Sequence, residues 1–237
     1  MIAVYPYATL GHADHGWLDA RHHFSFARYW NPARTQFGAL RVVNDDLVKA
    51  GAGFGLHPHD NMEIITYVRR GAITHRDDLG NHGRTGAGDV QIMSAGTGVR
   101  HSEHNHEDID TRLYQIWITP NRLNVPPRWE MRQFPGGFVP GGAALPVLVS
   151  GRAEDTAASA LSMHQDAAIS GGKLRAGSAV IQPVKYQAYL LAAAGSMAVN
   201  GVPIEPGDGA EVTGEPVLTI AALTDAEILI IDVPPGA

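Results

Sequence analysis

Short runs of alternating or β-branched apolar residues recur along the whole chain, and turn-forming residues separate them. Glycine occurs 27 times and proline 15 times among 237 residues. Side chains alternate between the two faces of a strand, so short runs between turn signals predict strands. The clearest runs are 40–43, 63–68, 90–93, 113–118, 217–221 and 227–233. The pattern predicts an all-β antiparallel sandwich or barrel, with at most a short helical turn at 45–50.

A segment rich in glycine and proline divides the chain. Residues 134–142 read Phe-Pro-Gly-Gly-Phe-Val-Pro-Gly-Gly, a composition typical of a connection between two halves. A short repeat supports this division, because both halves carry a hairpin followed by a turn, at Gly88-Asp89 and at Gly207-Asp208. The predicted units are an N-terminal domain at 1–133, a linker at 134–145 and a C-terminal domain at 146–237.

Histidine is concentrated in the first half, where eleven of the twelve lie between His12 and His106. Two pairs of potential metal ligands stand out, His57-Pro58-His59 and His101-Ser102-Glu103. Residues two apart project from the same face of a strand, roughly 7 Å apart along the chain. Ligands on a helix would instead be three or four residues apart. The two pairs therefore predict a metal site on a β-scaffold.

The carboxylate ligand has two candidates. Glu63 follows His59 by four residues and would face the same cavity if the strand were unbroken, so spacing alone does not choose between Glu63 and Glu103. Imidazole and carboxylate donors together suit Fe(II), Mn, Co, Ni, Cu or Zn. The corresponding positions of the second half, counted from its repeat, are Ile181, Pro183, Gln187, Ile220 and Ala222. None of them is a good ligand, so we predict that the C-terminal half lacks a metal.

Four further histidines precede these pairs. His12, His15, His22 and His23 are close enough in sequence to reach the mouth of a metal cavity, although ordinary polar or aromatic packing explains most of them equally well.

Composition excludes several other classes of protein. The net charge of −6 gives no general attraction to nucleic acid or anionic membranes, and the absence of cysteine excludes disulfides and thiol catalysis. Residues 1–10 lack a basic stretch followed by an apolar run, and all apolar runs are too short to cross a bilayer. We expect a cytoplasmic protein for which a monomer is sufficient. No phosphate loop, dinucleotide fingerprint or Gly-x-Ser-x-Gly motif competes with the metal site.

The spacing of the ligand candidates resembles a known superfamily. Two segments resemble the two cupin motifs. They are Gly51-x5-His57-x-His59-x3-Glu63-x7-Gly71, which has one extra residue before Gly71, and Gly88-x7-Gly96-x4-His101-x3-Asn105. His57-Pro58-His59 together with residues 93–103, Met-Ser-Ala-Gly-Thr-Gly-Val-Arg-His-Ser-Glu, resembles the pirin family. Trp17-Leu18-Asp19 and the following stretch to Phe26 resemble its bacterial quercetin 2,3-dioxygenase branch. The resemblance covers the first half and extends to His164-Gln165-Asp166.

This resemblance implies a bicupin, in which two jelly-roll barrels pack together and the N-terminal barrel holds one metal. The ligands it implies are His57, His59, His101 and Glu103, because pirins use the carboxylate after the third histidine. Glu63 would then hydrogen-bond to a ligand without binding the metal itself. The implied metal is a divalent transition metal, with Fe(II) expected first. The implied activity is cleavage of the central ring of a flavonol such as quercetin by dioxygen, with release of carbon monoxide and Glu103 as base.

Two other functions are known for related proteins. Some pirins are regarded as redox-sensing partners in transcription, and the acidic chain would need a protein partner for such a role because it offers no DNA-binding face. Sugar-phosphate isomerisation, known among other cupins, needs cations to hold a phosphate. Arg100 is the only close candidate beside the ligand motifs.

Overall fold

Strands make up nearly all the regular structure of the computed structural model, which describes residues 1–134 and 136–236. The first half contains β1 Ile2–Tyr5, β2 Gly11–Asp14, β3 Leu18–His22, β4 Leu40–Val48, β5 Gly53–His59, β6 Glu63–Arg70, β7 Ala72–Asp77, β8 His82–Gly86, β9 Val90–Ser94, β10 Val99–His104, β11 Thr111–Ile118 and β12 Arg128–Arg132. The second half contains β13 Val147–Ser150, β14 Leu161–Ser162, β15 Ala168–Leu174, β16 Ala179–Pro183, β17 Gln187–Ala194, β18 Met197–Val199, β19 Val202–Ile204, β20 Gly209–Val212, β21 Val217–Ala222 and β22 Ala226–Val233. A 3-10 helix at Tyr7–Thr9 and a short α-helix, α1 at Ala153–Ala157, complete the elements of the described residues.

Each half is built from one seven-stranded and one four-stranded sheet. The first half has the strand orders β12-β9-β6-β11-β4-β3-β2 and β5-β10-β7-β8, and the second has β1-β20-β17-β22-β15-β13-β14 and β16-β21-β18-β19. Each strand from β4 to β11 thus occupies the place taken in the second half by the strand numbered eleven higher. The prediction of an all-β bicupin is confirmed, and the matching orders agree with the repeat seen in the sequence.

The first strand belongs to the sheet of the second half. β1 pairs with β20 from Ile2 opposite Val212 to Tyr5 opposite Gly209, and β12 takes the equivalent edge of the first half beside β9. The described part of the linker runs along the second barrel, where the Val139 amide donates to the carbonyl of Lys173. Residue 135 of the predicted linker lies outside the described residues, and the domain limits stay a prediction.

The two barrels differ in what fills them. A large apolar cluster lies between the seven-stranded sheets, with members such as Ile65 and Ile116 from the first half and Leu191 and Leu229 from the second. A second large cluster fills the interior of the C-terminal barrel. Inside the N-terminal barrel the apolar residues form only three small clusters. That interior therefore has room for polar side chains and a cavity.

The short helical turn predicted at 45–50 is wrong, because β4 continues to Val48 and pairs with β3 and β11. Its two consecutive acidic residues look unlike a buried strand, yet both are buried. Asp45 lies 2.7 Å from the guanidinium of Arg69 on one face of the strand. Asp46, on the other face, lines the cavity of the N-terminal barrel. Tertiary partners, which local sequence does not reveal, keep these residues in a strand.

Candidate metal centre

Two antiparallel strands bring three predicted ligands together. His57 and His59 lie two residues apart on β5, so they project from the same face, and β10 places His101 directly opposite His57. The centroids of the three imidazole rings are between 4.4 and 5.0 Å apart. One nitrogen from each ring lies within 4.8 Å of the other two. Three imidazoles so placed can share one metal ion.

The hydrogen bonds of two of these rings leave their ligand nitrogens free. The Nδ1 of His57 lies 2.7 Å from the carbonyl oxygen of Gly55 and must donate to it, so in the neutral ring the lone pair is on Nε2. The Nε2 of His101 is buried without any hydrogen-bond partner among the described residues. A buried polar atom without a partner is costly, and a metal ion would satisfy it. The donor set therefore fits a transition metal.

Burial favours the neutral, metal-binding form of two of the three histidines. It lowers the pKa of His59 to about 4, and the neighbouring His57 acts in the same direction. It lowers the pKa of His101 to about 2, again with help from the other histidines. Neutral imidazoles offer lone pairs, whereas imidazolium ions cannot ligate a metal.

Glu103 lies two residues after His101 on the same face of β10, but it is not part of the group whose ligand atoms lie within 4.8 Å of one another. Its side chain is 2% exposed, and its Oε1 accepts hydrogen bonds from the Nε2 of Gln91 and, at 3.2 Å, from the Oγ1 of Thr66. Burial raises the pKa of Glu103 to about 7, whereas the two hydrogen bonds act to lower it. Its Oε2 makes no hydrogen bond within residues 1–134 and 136–236. The carboxylate is thus held at one oxygen and free at the other.

Glu63 lies on the opposite face of its strand from this site. β5 ends at His59 and β6 begins at Glu63 in a different sheet, so the four-residue phase between the two residues is broken. Within β6, Thr66 reaches Glu103 inside the barrel, whereas Glu63 shares a face with Ile65, which packs between the barrels. Its carboxylate accepts a hydrogen bond of 2.7 Å from a serine hydroxyl there. The structure does not bring Glu63 to the triad.

A cavity of about 960 Å³ opens beside the triad. Its volume is within the range of small-molecule binding sites, which is roughly 300–1,000 Å³. The lining residues are His12, Ala13, Asp14, His15, Trp17, Leu18, Ala20, His22, Phe26, Ala27, Arg28, Tyr29, Asn44, Asp46, Phe54, Gly55, His57, His59, Gln115 and Trp117. Two of the three triad histidines therefore face a space large enough for a substrate.

Aromatic rings form much of the cavity wall. Trp17 and Phe54 meet edge to face with centroids 5.2 Å apart, and Phe26 and Trp117 do the same at 5.4 Å. Trp117 also contacts His59 edge to face at 4.9 Å. Such rings offer flat apolar surfaces beside the candidate metal position. The cavity is therefore suited to a planar aromatic ligand.

Three of the four histidines that precede the ligand pairs line this cavity. His12 and His15 are exposed at its rim, and the buried His22 lies with its Nδ1 2.8 Å from the Oδ1 of Asn44. His23 points the other way, into the core between the barrels.

Comparisons with known proteins agree with this geometry. The family model described as Pirin matches residues 4–118, and the model described as Quercetinase C-terminal cupin domain matches residues 147–233. A pirin-like protein of Caulobacter vibrioides is 50% identical over 234 residues, which span 98% of this chain and 99% of that protein. The chain belongs to the pirin family.

Other relatives place it within the bacterial branch of the family. A protein of Escherichia coli K12 named quercetin 2,3-dioxygenase is 41% identical over 228 residues, 95% of each chain. The crystal structure of the bacterial pirin YhhW from Escherichia coli in complex with nickel(II) has a TM-score of 0.90 and 39% identity, covering 99% of this chain and 100% of that one. The predicted family is confirmed. Within the described residues of this pirin, no helix is long and apolar enough to span a membrane.

Several residues around the triad were missed by the sequence analysis. They are Asp46, His75, Asp77, Gln91 and Trp129. One local signal was available, because His75-Arg76-Asp77 repeats the two-residue spacing of the ligand pairs. The others are polar or aromatic residues on separate strands, and only the sheet register brings them to the site.

Proposed function

We propose that this pirin is a metal-dependent dioxygenase that opens the central ring of a flavonol such as quercetin and releases carbon monoxide. The observation that carries the proposal is the convergence of three imidazoles beside an aromatic cavity of about 960 Å³. The name of the Escherichia coli relative, quercetin 2,3-dioxygenase, supports the same chemistry.

The residues we assign to the metal are His57, His59, His101 and Glu103. The first three supply nitrogen ligands, and Glu103 would turn its free oxygen toward the ion. Such a donor set accepts Fe(II), our first choice, and also Mn, Co, Ni, Cu or Zn; the relative YhhW was crystallised with nickel(II). When bound, the ion would supply a Lewis acid that stabilises the anion of the 3-hydroxyl and makes the central ring reactive toward dioxygen.

The protein's own residues would bind and deprotonate the substrate. The aromatic walls at Trp17, Phe54 and Trp117 would hold the flat flavonol by apolar contact and exclude water. Glu103 is the buried carboxylate on the same strand face as His101. Because Gln91 and Thr66 occupy its Oε1, it would accept the proton of the 3-hydroxyl on Oε2, which would have to leave the ion for this step. One dioxygen is consumed, and its two oxygen atoms enter the ester product while one ring carbon leaves as carbon monoxide.

The test combines metal analysis of the purified protein with aerobic quercetin turnover and detection of carbon monoxide. We expect about one metal ion per chain and equal amounts of quercetin consumed and carbon monoxide formed. A metal-loaded protein that releases no carbon monoxide with any flavonol would overturn the proposal and favour the regulatory function, in which the metal alters a surface that a protein partner recognises.

Glu103→Gln tests the assignment of the base. General-base contributions are typically about 10²–10⁴-fold, so turnover per bound metal should fall by that order. Glu63→Gln is the matched control and should retain both metal and turnover. Undiminished turnover in a metal-loaded Glu103→Gln protein contradicts the assignment.

A further inference from the structure

Behind His101, on the side away from His57, lies a buried imidazole–carboxylate pair. The Nδ1 of His101 is 3.4 Å from the Nδ1 of His75, and the Nε2 of His75 is 3.1 Å from the Oδ2 of Asp77. The side chains of His75 and Asp77 are each 1% exposed. β7 carries both residues and pairs with β10, which puts Asp77 opposite His101. These contacts form a continuous chain from a carboxylate to a candidate metal ligand.

The hydrogen bonds in this chain can run in only one direction. A carboxylate only accepts, so the Nε2 of His75 must donate to Asp77. Burial disfavours a charged imidazolium, so the Nδ1 of His75 is an acceptor. The Nδ1 of His101 must then donate to His75, which leaves the lone pair of His101 on Nε2. That is the buried atom without a partner among the described residues.

Packing holds His75 in place for this role. Its ring stacks on Trp129 with an angle of 10° between the planes and 4.8 Å between centroids. Gly83 makes room for the indole, because a Cβ there would lie 2.3 Å from the Cη2 of Trp129. Trp129 also donates from its Nε1 to the Oε1 of Gln91 at 3.3 Å, and Gln91 in turn holds Glu103. One tryptophan therefore braces the groups behind both His101 and Glu103.

We propose that Asp77 and His75 are positioning residues that fix the tautomer of His101 and thereby set the affinity of the site for a transition-metal ion. The proposal rests on the assignment of His101 as a ligand, and the closing experiments separate the two. Groups of this kind behind a ligand typically change metal affinity by about 10–100-fold.

The hydrogen-bonded chain Asp77–His75–His101 is called the relay below. Asp77→Asn should reverse the direction in which its hydrogen bonds donate. The amide oxygen can still accept from the backbone N–H groups of Leu79 and Asn81, as Asp77 Oδ1 does now. The amide NH₂ then faces His75 and the side-chain amide of Asn81, which donates to Oδ2 in the unmodified chain and must turn its oxygen toward the new NH₂. His75 then accepts at Nε2 and donates from Nδ1, so His101 carries its proton on Nε2. We expect about 10–100-fold weaker Co(II) binding, measured by absorption titration of the metal-free protein. Asp89→Asn, a turn carboxylate that contacts Gly86, is the matched control and should bind normally.

A double-mutant cycle distinguishes the relay from a structural effect of the turn. His75→Phe keeps an aromatic ring against Trp129 but breaks the relay. In that background, Asp77→Asn should cause no further loss of Co(II) affinity. An equal loss with and without His75 would show that Asp77 acts through the turn at residues 77–81, and the proposal would be overturned.

Nitrogen-15 NMR of the metal-free protein reads the tautomer directly. We expect a protonated Nδ1 on His101 in the unmodified chain and a protonated Nε2 after Asp77→Asn. The same tautomer in both proteins would overturn the relay whether or not metal binds. If the relay holds and metal binds but no carbon monoxide forms, the proposed activity fails and the relay stands.

Discussion

His57 lies directly opposite His101 across the β5–β10 pair, with ring centroids 4.4 Å apart. In the second half, the corresponding β16–β21 pair places Val180 opposite Ile220, and both are fully buried in the apolar core of that barrel. The count from the repeat, which put Ile181 at the position of His57, is one residue off, because Ile181 lies on the other face of its strand and is 42% exposed. The same position of the fold therefore carries two histidines in the first half and two buried apolar residues in the second. The contrast suggests which substitution removes the site without removing the barrel.

His101→Ile should abolish metal binding and leave a folded protein. A ligand that binds only the native state stabilises it by about 2.7 kcal/mol at 100 times its Kd. We therefore expect Ni(II) to raise the melting temperature of the unmodified chain and to leave that of His101→Ile unchanged. His106→Ala, at an exposed histidine, is the control and should respond like the unmodified chain. A normal response of His101→Ile to Ni(II) would place the metal elsewhere.

The triad was predictable because its geometry is local. A spacing of two residues on a strand fixes the face, and two such pairs on neighbouring strands need only one register to meet. The position of Glu63 was not predictable, because the chain leaves one sheet after His59 and enters another, and this break resets the alternation of faces. Turn signals and the repeat predicted an all-β fold in two halves, whereas the bicupin arrangement was implied by the family resemblance of the ligand motifs.

The groups behind the ligands depend on contacts between distant strands. Gln91 reaches Glu103 from β9, and Trp129 reaches His75 from β12, which follows the barrel in sequence. No local pattern marks a glutamine or a tryptophan for such a position. Asp46 is a further case, because a buried carboxylate within a strand is stable only through surroundings that the sequence does not show.

Gln91→Leu should destabilise the metal-free protein. Gln91 accepts from Thr85 and Trp129 at its Oε1 and donates to Glu103 and Thr66 at its Nε2. Leaving buried donors and acceptors without partners costs about 1–3 kcal/mol. Urea unfolding should show a loss of this size.

Gln115→Leu is the control for that substitution. Gln115 is buried in the same barrel, but its side chain makes no hydrogen bond within the described part of the chain. Its replacement should therefore cost clearly less free energy of unfolding. Equal losses for the two variants would mean that the network around Gln91 contributes no specific stability.

Phe54→Ala should weaken substrate binding without changing metal content. The ring forms part of the cavity wall and packs edge to face against Trp17. An aromatic contact is worth about 0.5–1.5 kcal/mol beyond its buried area, so KM for quercetin should rise roughly tenfold. Phe138→Ala, at a half-exposed linker residue outside the cavity lining, should leave KM unchanged. Equal KM values for the two variants would show that the substrate does not bind in this cavity.

His23 should make the metal-free protein less stable in acid. Burial, reinforced by the positive charge of Arg34, lowers the pKa of His23 to about 3. The unfolded chain takes up this proton near the ordinary histidine pKa of about 6.5, so between pH 6.5 and 3 the unfolded state binds more protons than the native state. The free energy of unfolding must therefore fall as the pH is lowered through this window, and one proton corresponds to about 1.4 kcal/mol per pH unit.

His23→Asn isolates that contribution from those of the other buried histidines. The Nδ1 of His23 lies 2.9 Å from the hydroxyl of Tyr189, which accepts from Arg34 and has its own proton available for the imidazole. The asparagine oxygen can keep this acceptor position while removing the titration. Urea unfolding between pH 4 and 6 should show a slope against pH that is smaller by about 1.4 kcal/mol per unit, whatever the variant's stability at pH 7. An unchanged slope would mean that His23 binds its proton equally well in the native and unfolded states, and would contradict the prediction.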